Sequence, residues 1–148
     1  MRNDTFFLSS GKIDLAKELK RSEGWLPVNK KILIIDDDRG TRALLTKLLS
    51  DAGYEVFSEE EGLVGLETAK SIDPDLIILD VFMPGFNGYH ICNELKLDEK
   101  FKNIPIIILT SRNEDVERTI ADEVGADLFM SKPFDTNNIL HSVERLLN

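Results

Sequence analysis

The chain has 148 residues, 42% of them apolar and 30% charged, with 27 acidic against 18 basic side chains and a formal net charge of −9. That length suits one domain with a short extension; no apolar run approaches the roughly 20 residues that span a bilayer, and a single cysteine, Cys92, excludes an intrachain disulfide and a cysteine metal cage. The charge is uneven: residues 1–30 carry six basic and four acidic side chains and residues 31–148 twelve basic and 23 acidic, an acidic body that argues against direct nucleic-acid binding.

Residues 1–30 stand apart from the rest of the chain. Phe6-Phe7-Leu8 is too short for the hydrophobic centre of a signal peptide, so the cytoplasm is the expected location. Ile13, Leu15, Ala16 and Leu19 suggest a short amphipathic helix over about 11–21, and Trp25-Leu26-Pro27 reads as a break. A helix that short is marginal alone and calls for something to dock on. A linker remnant, an arm packed on its own domain and a dimerisation element are all open readings.

From residue 31 onward strand and helix alternate. Strands are expected over 31–35, 54–58, 75–79, 105–110 and 127–131, and helices over about 39–51, 61–71, 87–97, 113–123 and 135–147. Ala43, Leu44, Leu48 and Leu49 give the first helix an apolar stripe, and Ile139, Leu140, Val143, Leu146 and Leu147 do the same for the last. Asp135 is placed to cap that last helix, and Gly53 and Gly125 stand where a left-handed C-cap would end two others. Cys92 falls on the apolar side of the third helix as a small buried hydrophobe. The runs Leu76–Leu79 and Ile106–Leu109 are apolar throughout, as in strands covered on both faces. Five βα units over residues 31–148 predict a doubly wound parallel sheet with helices on both faces.

Several of these strands end on residues that carry chemistry. Ile32–Ile35 runs into Asp36-Asp37-Asp38, and Leu76–Leu79 ends on Asp80. Thr110, with Ser111 beside it, follows the fourth strand, and Lys132 follows the fifth, just before Pro133. In a parallel sheet the carboxyl ends of neighbouring strands converge on one crevice. Carboxylates gathered there repel one another unless a hard cation sits among them, and oxygen-only ligands suit Mg2+. Such a set fits phosphoryl transfer: Asp80 as a carboxylate nucleophile, Mg2+ held by Asp36, Asp37 and Asp80 to offset charge on phosphoryl oxygens, Lys132 as a second positive charge and Thr110 as a hydroxyl donor. Asp38 reads instead as a helix cap, where negative charge suits the dipole. His90 and His141 have no ligand spacing around them and read as surface or partly buried residues.

An acid pair, an acid, a hydroxyl and Lys-Pro, each ending a successive apolar strand, resemble the receiver domain of two-component response regulators. The resemblance covers about residues 31–148 and rests on Ile32–Asp38, Leu76–Gly88 with Met83-Pro84, Ile106–Ser111, and Gly125-Ala126 through Lys132-Pro133-Phe134. It implies a flavodoxin-like sheet, strand order 2-1-3-4-5, as in chemotaxis regulators. It implies Asp80 as the acceptor of a phosphoryl group from a sensor histidine kinase or a histidine phosphotransfer protein. Asp36 and Asp37 match the Mg2+ acids, and Phe82 the position that lends the metal a backbone carbonyl. Thr110 matches the switch hydroxyl, Lys132 the phosphate-sensing lysine and Phe129 the switch aromatic, while Lys132–Pro133 matches a peptide that is usually cis. The fourth helix, fifth strand and fifth helix, about residues 113–147, then form the expected signalling surface, read by a downstream protein, a fused output region or a second copy of the chain.

Departures from the family pattern are Asn87, where Asp is common, a bulky Phe82 two residues after the acceptor, and Arg112 two after Thr110. Phe82 and Arg112 flank the expected path of the attacking water, so slow self-dephosphorylation is expected. Two other classes stay open: a pseudo-receiver acting only as a binding module, and a haloacid-dehalogenase-type phosphatase with Asp36 as nucleophile. The second lacks a late acidic pair after Lys132 and leaves Asp80 idle. A complete single-domain regulator and a piece of a longer protein are equally compatible with the sequence.

Overall fold

The computed structural model describes residues 5–8, 11–14, 30–111 and 115–148. Along the chain they form β1 (Thr5–Leu8), β2 (Gly11–Asp14), β3 (Lys31–Ile35), α1 (Arg39–Asp51), β4 (Glu55–Glu59), α2 (Gly62–Ile72), β5 (Leu76–Leu79), β6 (Phe82–Met83), β7 (Phe86–Asn87), α3 (Gly88–Leu97), β8 (Ile106–Thr110), α4 (Asp115–Glu123), β9 (Leu128–Ser131) and α5 (Thr136–Leu147).

The main sheet is parallel, in the order β4-β3-β5-β8-β9. Counted among these five strands that is 2-1-3-4-5, as expected from the resemblance. The side-chain alternation of β-strands sorts its residues into two layers. Ile32, Ile34, Leu76, Ile78, Ile107 and Leu109 pack with Leu45 and Leu49 of α1 and Ile139 and Val143 of α5. Leu33, Ile35, Ile77, Leu79, Ile106 and Ile108 pack on the other face, with Leu66 and Ala69 of α2, Ile91, Cys92 and Leu95 of α3, and Ala121 of α4. The central strands are buried on both faces, which is why they read as unbroken apolar runs. Cys92 is fully buried, and burial pushes its thiol up to about 11, so it packs rather than reacts.

The helix ends follow local chemistry. Asp38 caps α1, its carboxylate accepting from Thr41 N at 2.9 Å and Thr41 Oγ1 at 2.6 Å. Those two bonds hold its carboxyl below the usual range. Asp135 caps α5 by accepting from the backbone N–H of Asn137 and Asn138. Gly53 and Gly125 have φ of 101° and 85°, the left-handed conformation a C-terminal glycine supplies.

Two elements differ from the sequence expectation. The helix expected over about 11–21 does not form at its start: Gly11–Asp14 is strand β2, antiparallel to β1 with Phe6 opposite Ile13. A short apolar run carries no period long enough to tell helix from strand, and the β-prone Thr5-Phe6-Phe7 offers a pairing partner. Residues 15–21 and Trp25-Leu26-Pro27 lie outside the described residues. Between β5 and α3 a small hairpin, β6–β7, turns over Pro84-Gly85, with Gly85 at φ 79° as a type II turn requires. Among the described residues no helix is long and apolar enough to cross a membrane.

Candidate functional site

Register brings the acids together. Ile35 of β3 pairs with Leu79 of β5, so the next residues, Asp36 and Asp80, emerge level with each other at the carboxyl ends of adjacent strands. Asp36 is 2% exposed and Asp80 6%, while Asp37 is exposed. One carboxylate oxygen from each of the three lies within 4.8 Å of the other two. The third acid of the run, Asp38, is spent on the cap of α1. On the far side Thr110 of β8 pairs with Ser131 of β9, and Lys132 N donates to Thr110 O at 2.7 Å. That anchors the root of Lys132, whose Nζ donates to Asp36 Oδ2 at 2.7 Å. The Lys132–Pro133 peptide is cis.

Asp36 is held from several directions. Its Oδ1 accepts from Asp38 N at 2.8 Å, and its backbone carbonyl accepts from Arg42 Nη1 at 2.9 Å. Arg42 also meets Glu60 at 3.5 Å, which ties α1 to the loop after β4. Asp80 is less well compensated. Its Oδ1 accepts from Val81 N at 2.9 Å. Burial first, and then the charge of Asp36, push its carboxyl up to about 7; Lys132 and the Val81 N–H pull the other way, and Asp37 adds a little to the rise. A buried acid that titrates near neutrality, with a second acid beside it, is stabilised in its ionised form by a cation. The donor set is three carboxylates and no nitrogen or sulfur, which fits a hard divalent ion such as Mg2+.

The loop after Asp80 is fixed by Gly88. Its N–H donates to Val81 O at 2.8 Å, and a Cβ there would fall 2.3 Å from Asp80 O. Only glycine lets α3 begin this close to the Asp80 backbone. Asn87 caps the helix, its side chain accepting from Tyr89 N at 2.7 Å, so the departure from Asp at this position keeps the cap. Phe82, in β6, is 37% exposed beside the site. Thr110 is fully buried and Phe129 is 8% exposed, packed with the α3–α4 side of the core beneath the Arg118 guanidinium 4.9 Å from its ring. Arg112 lies outside the described residues. His90 and His141 are both exposed, His90 edge-on to Phe86.

The structure thus gathers Asp36, Asp37, Asp80 and Lys132 into one site, with Thr110 and Phe129 behind it. Arg42 had no signal in the sequence, since a lone arginine in an amphipathic helix reads as a solvated residue. Gly88 stood in the motif, but the 2.3 Å approach that requires it is a three-dimensional fact. Beside the site an open cleft of ≈ 490 Å3 is lined by Asp38, Gly40, Thr41, Leu44, Ser111, Lys132, Pro133 and Phe134.

A sequence model described as "Response regulator receiver domain" matches residues 32–144. The chain belongs to this family. Among its relatives are the alkaline phosphatase synthesis transcriptional regulatory protein PhoP of Bacillus subtilis, 35% identical over 120 residues (81% of this chain, 49% of that protein), and the DNA-binding dual master transcriptional regulator RpaA of Synechocystis, 37% identical over 117 residues (79% and 48%). The chain spans about half the length of these curated relatives. Among solved structures, the chemotaxis protein CheY4 of Vibrio cholerae aligns with a TM-score of 0.76 at 31% identity, covering 80% of this chain and 99% of that one. The receiver domain of a signal transduction histidine kinase from Syntrophus aciditrophicus aligns at 0.74 and 33% identity, covering 80% and 89%. The protein is therefore a response regulator receiver domain of two-component signalling, a signalling domain rather than a classical enzyme.

Proposed function

We propose that this receiver domain is a phosphorylation-driven switch that takes a phosphoryl group onto Asp80 from a phosphohistidine of a sensor histidine kinase or histidine phosphotransfer protein. The observation that carries the reading is the convergence of Asp36, Asp37 and Asp80 within 4.8 Å, with Lys132 anchored against Asp36. One Asp80 oxygen attacks phosphorus, the phosphorus–nitrogen bond breaks, and the imidazole leaves with the electron pair. Mg2+, when bound, neutralises charge on the phosphoryl oxygens. Asp36, Asp37, Asp80 and the Phe82 backbone carbonyl would hold it. Lys132 would exchange its contact with Asp36 for one with a phosphoryl oxygen, and Thr110 would donate its hydroxyl to another. Phe129 lacks a tyrosine hydroxyl, so burial alone would hold its ring inward. Exposed Leu44 and the cleft beside Lys132 give the phosphohistidine's carrier a place to approach.

In this reading residues 31–148 form the domain and 1–30 an extension, working in the cytoplasm. The signal leaves through α4, β9 and α5 to a protein target or a fused output region. The names of PhoP and RpaA describe transcriptional regulators, and a transcriptional output is one form that region could take. The acidic body leaves no basic footprint for direct nucleic-acid contact by the domain itself.

Intact mass after incubation with acetyl phosphate tests the proposal. A gain of one phosphoryl group is expected in wild type with Mg2+, and none without Mg2+ or in Asp80→Asn. No gain in wild type, with acetyl phosphate or with a phosphorylated kinase, would favour a phosphorylation-independent binding module.

A further inference from the structure

Tyr89 and Glu117 are both buried, at 6% and 7% exposure, and neither belongs to the acidic site. The Tyr89 hydroxyl lies 2.6 Å from Glu117 Oε2, to which it donates, and 3.1 Å from the Glu117 backbone oxygen. Tyr89 is the second residue of α3 and Glu117 the third of α4, so the Tyr89 hydroxyl ties the first turns of two helices through residues 28 apart in the chain.

What each end is fixed to gives the bond a direction. α3 starts at Gly88, whose N–H is held by Val81 O and where an added Cβ would fall 2.3 Å from Asp80 O. Tyr89 therefore moves with the acceptor loop. α4 follows Thr110 by five residues, and its Arg118, next to Glu117, lies over the Phe129 ring. Glu117 therefore moves with the segment that the switch hydroxyl and the switch aromatic adjoin. A hydrogen bond to a carboxylate in a buried setting is stronger than one at the surface, so α4 cannot shift against α3 without a substantial cost.

We propose that the Tyr89–Glu117 hydrogen bond is a latch that holds α4 in its resting place against the acceptor loop, and that activation must break it. Tyr89 and Glu117 are then positioning residues that set how readily α4 answers a phosphoryl group on Asp80. This rests on the phosphorylation switch proposed for Asp80.

Hydrogen exchange of α4 amides, read by mass spectrometry, tests the latch without phosphoryl chemistry. Tyr89→Phe keeps the ring and removes only the hydroxyl. Its α4 amides are expected to exchange roughly tenfold faster than wild type, while those of β3 and β5 stay unchanged. Because coupling is reciprocal, beryllofluoride with Mg2+, a phosphoryl mimic, should bind the variant up to about tenfold more tightly. Glu117→Gln keeps a side-chain acceptor oxygen and should stay near wild type in both readouts, whereas Glu117→Ala, which leaves only the backbone oxygen at 3.1 Å as acceptor, should fall between wild type and Tyr89→Phe. If Tyr89→Phe fails to fold, the two Glu117 variants carry the comparison. Unchanged α4 exchange, or faster exchange spread equally over β3 and β5, would overturn the latch, the second result marking an ordinary loss of stability. Faster α4 exchange with no gain in beryllofluoride affinity would overturn its role in switching. A wild type that binds no beryllofluoride would overturn the phosphorylation reading, while the exchange comparison would still decide whether the tie holds α4.

Discussion

In the absence of metal the Asp80 carboxylate works against the fold, and Asp80→Asn should relieve it. Asp80 titrates near 7 in the folded chain against an ordinary value of 3.8, because burial and the charge of Asp36 disfavour its ionised form. The folded state thus binds the Asp80 proton more tightly than the unfolded state does. Between about pH 4 and 7 stability must fall as pH rises, with the full penalty reached above 7. A separation of roughly three pH units at 1.36 kcal/mol each corresponds to about 4 kcal/mol at pH 8, and to roughly 1.5 kcal/mol at pH 5, where most of the folded acid is still protonated. Asparagine keeps the shape and cannot ionise. In EDTA, urea unfolding should find Asp80→Asn more stable than wild type, by about 1.5 kcal/mol at pH 5 and up to about 4 at pH 8. Saturating Mg2+ should narrow the gap at pH 8, because wild type has the full set of carboxylates to bind it. An equal gap at both pH values, or a wild type more stable than the variant at pH 8, would refute the charge argument.

Gly88→Ala places a Cβ 2.3 Å from Asp80 O and 2.8 Å from Val81 Cα, both backbone atoms; it should cost about 2–3 kcal/mol in urea unfolding and slow phosphoryl uptake measured by intact mass, and a variant with wild-type stability would mean that the loop gives way freely. Phe82→Asn removes a bulky, partly exposed ring from beside the acceptor; the loaded protein should then lose its phosphoryl group on the order of tenfold faster, a change of about 1.4 kcal/mol in barrier, and an unchanged decay would exclude Phe82 as the water barrier.

The sheet was legible because most of its strands are short apolar runs punctuated by a functional residue or a turn, while the edge strand β4, Glu55–Glu59, mixes polar and apolar residues. β3 and α1 fall on the expected residues, and the other strands and helices of the parallel series lie within one or two of them. The site was legible for a related reason. In a parallel sheet the end of each strand is its functional end, so Asp36, Asp80, Thr110 and Lys132 could be gathered before their distances were known. Two other things do not follow from periodicity. Gly11–Asp14 is too short for a helix period to be told from a strand period, and its pairing with β1 is a nonlocal choice. Tyr89 and Glu117 each read as ordinary helix residues, and nothing in either segment names the other. The β6–β7 hairpin did leave a local mark, Pro84-Gly85 between Met83 and Phe86, the pairing that a type II turn requires.

The resting contacts also explain why one lysine serves three acids. Lys132 engages Asp36, the most deeply buried of them, where an unpaired carboxylate would cost most. Asp37 faces water and needs little help. Among the described residues Asp80 has no cation in direct contact of that kind, and burial together with the charge of Asp36 raises its titration. In the proposed switch, a site arranged in this way would take up a divalent cation first. A phosphoryl group on Asp80 would then, in that switch, offer Lys132 a more negative partner than Asp36. The lysine would change partners without being left unpaired, and because its backbone N–H is fixed to Thr110 O, that exchange would reach the strand end that carries Thr110.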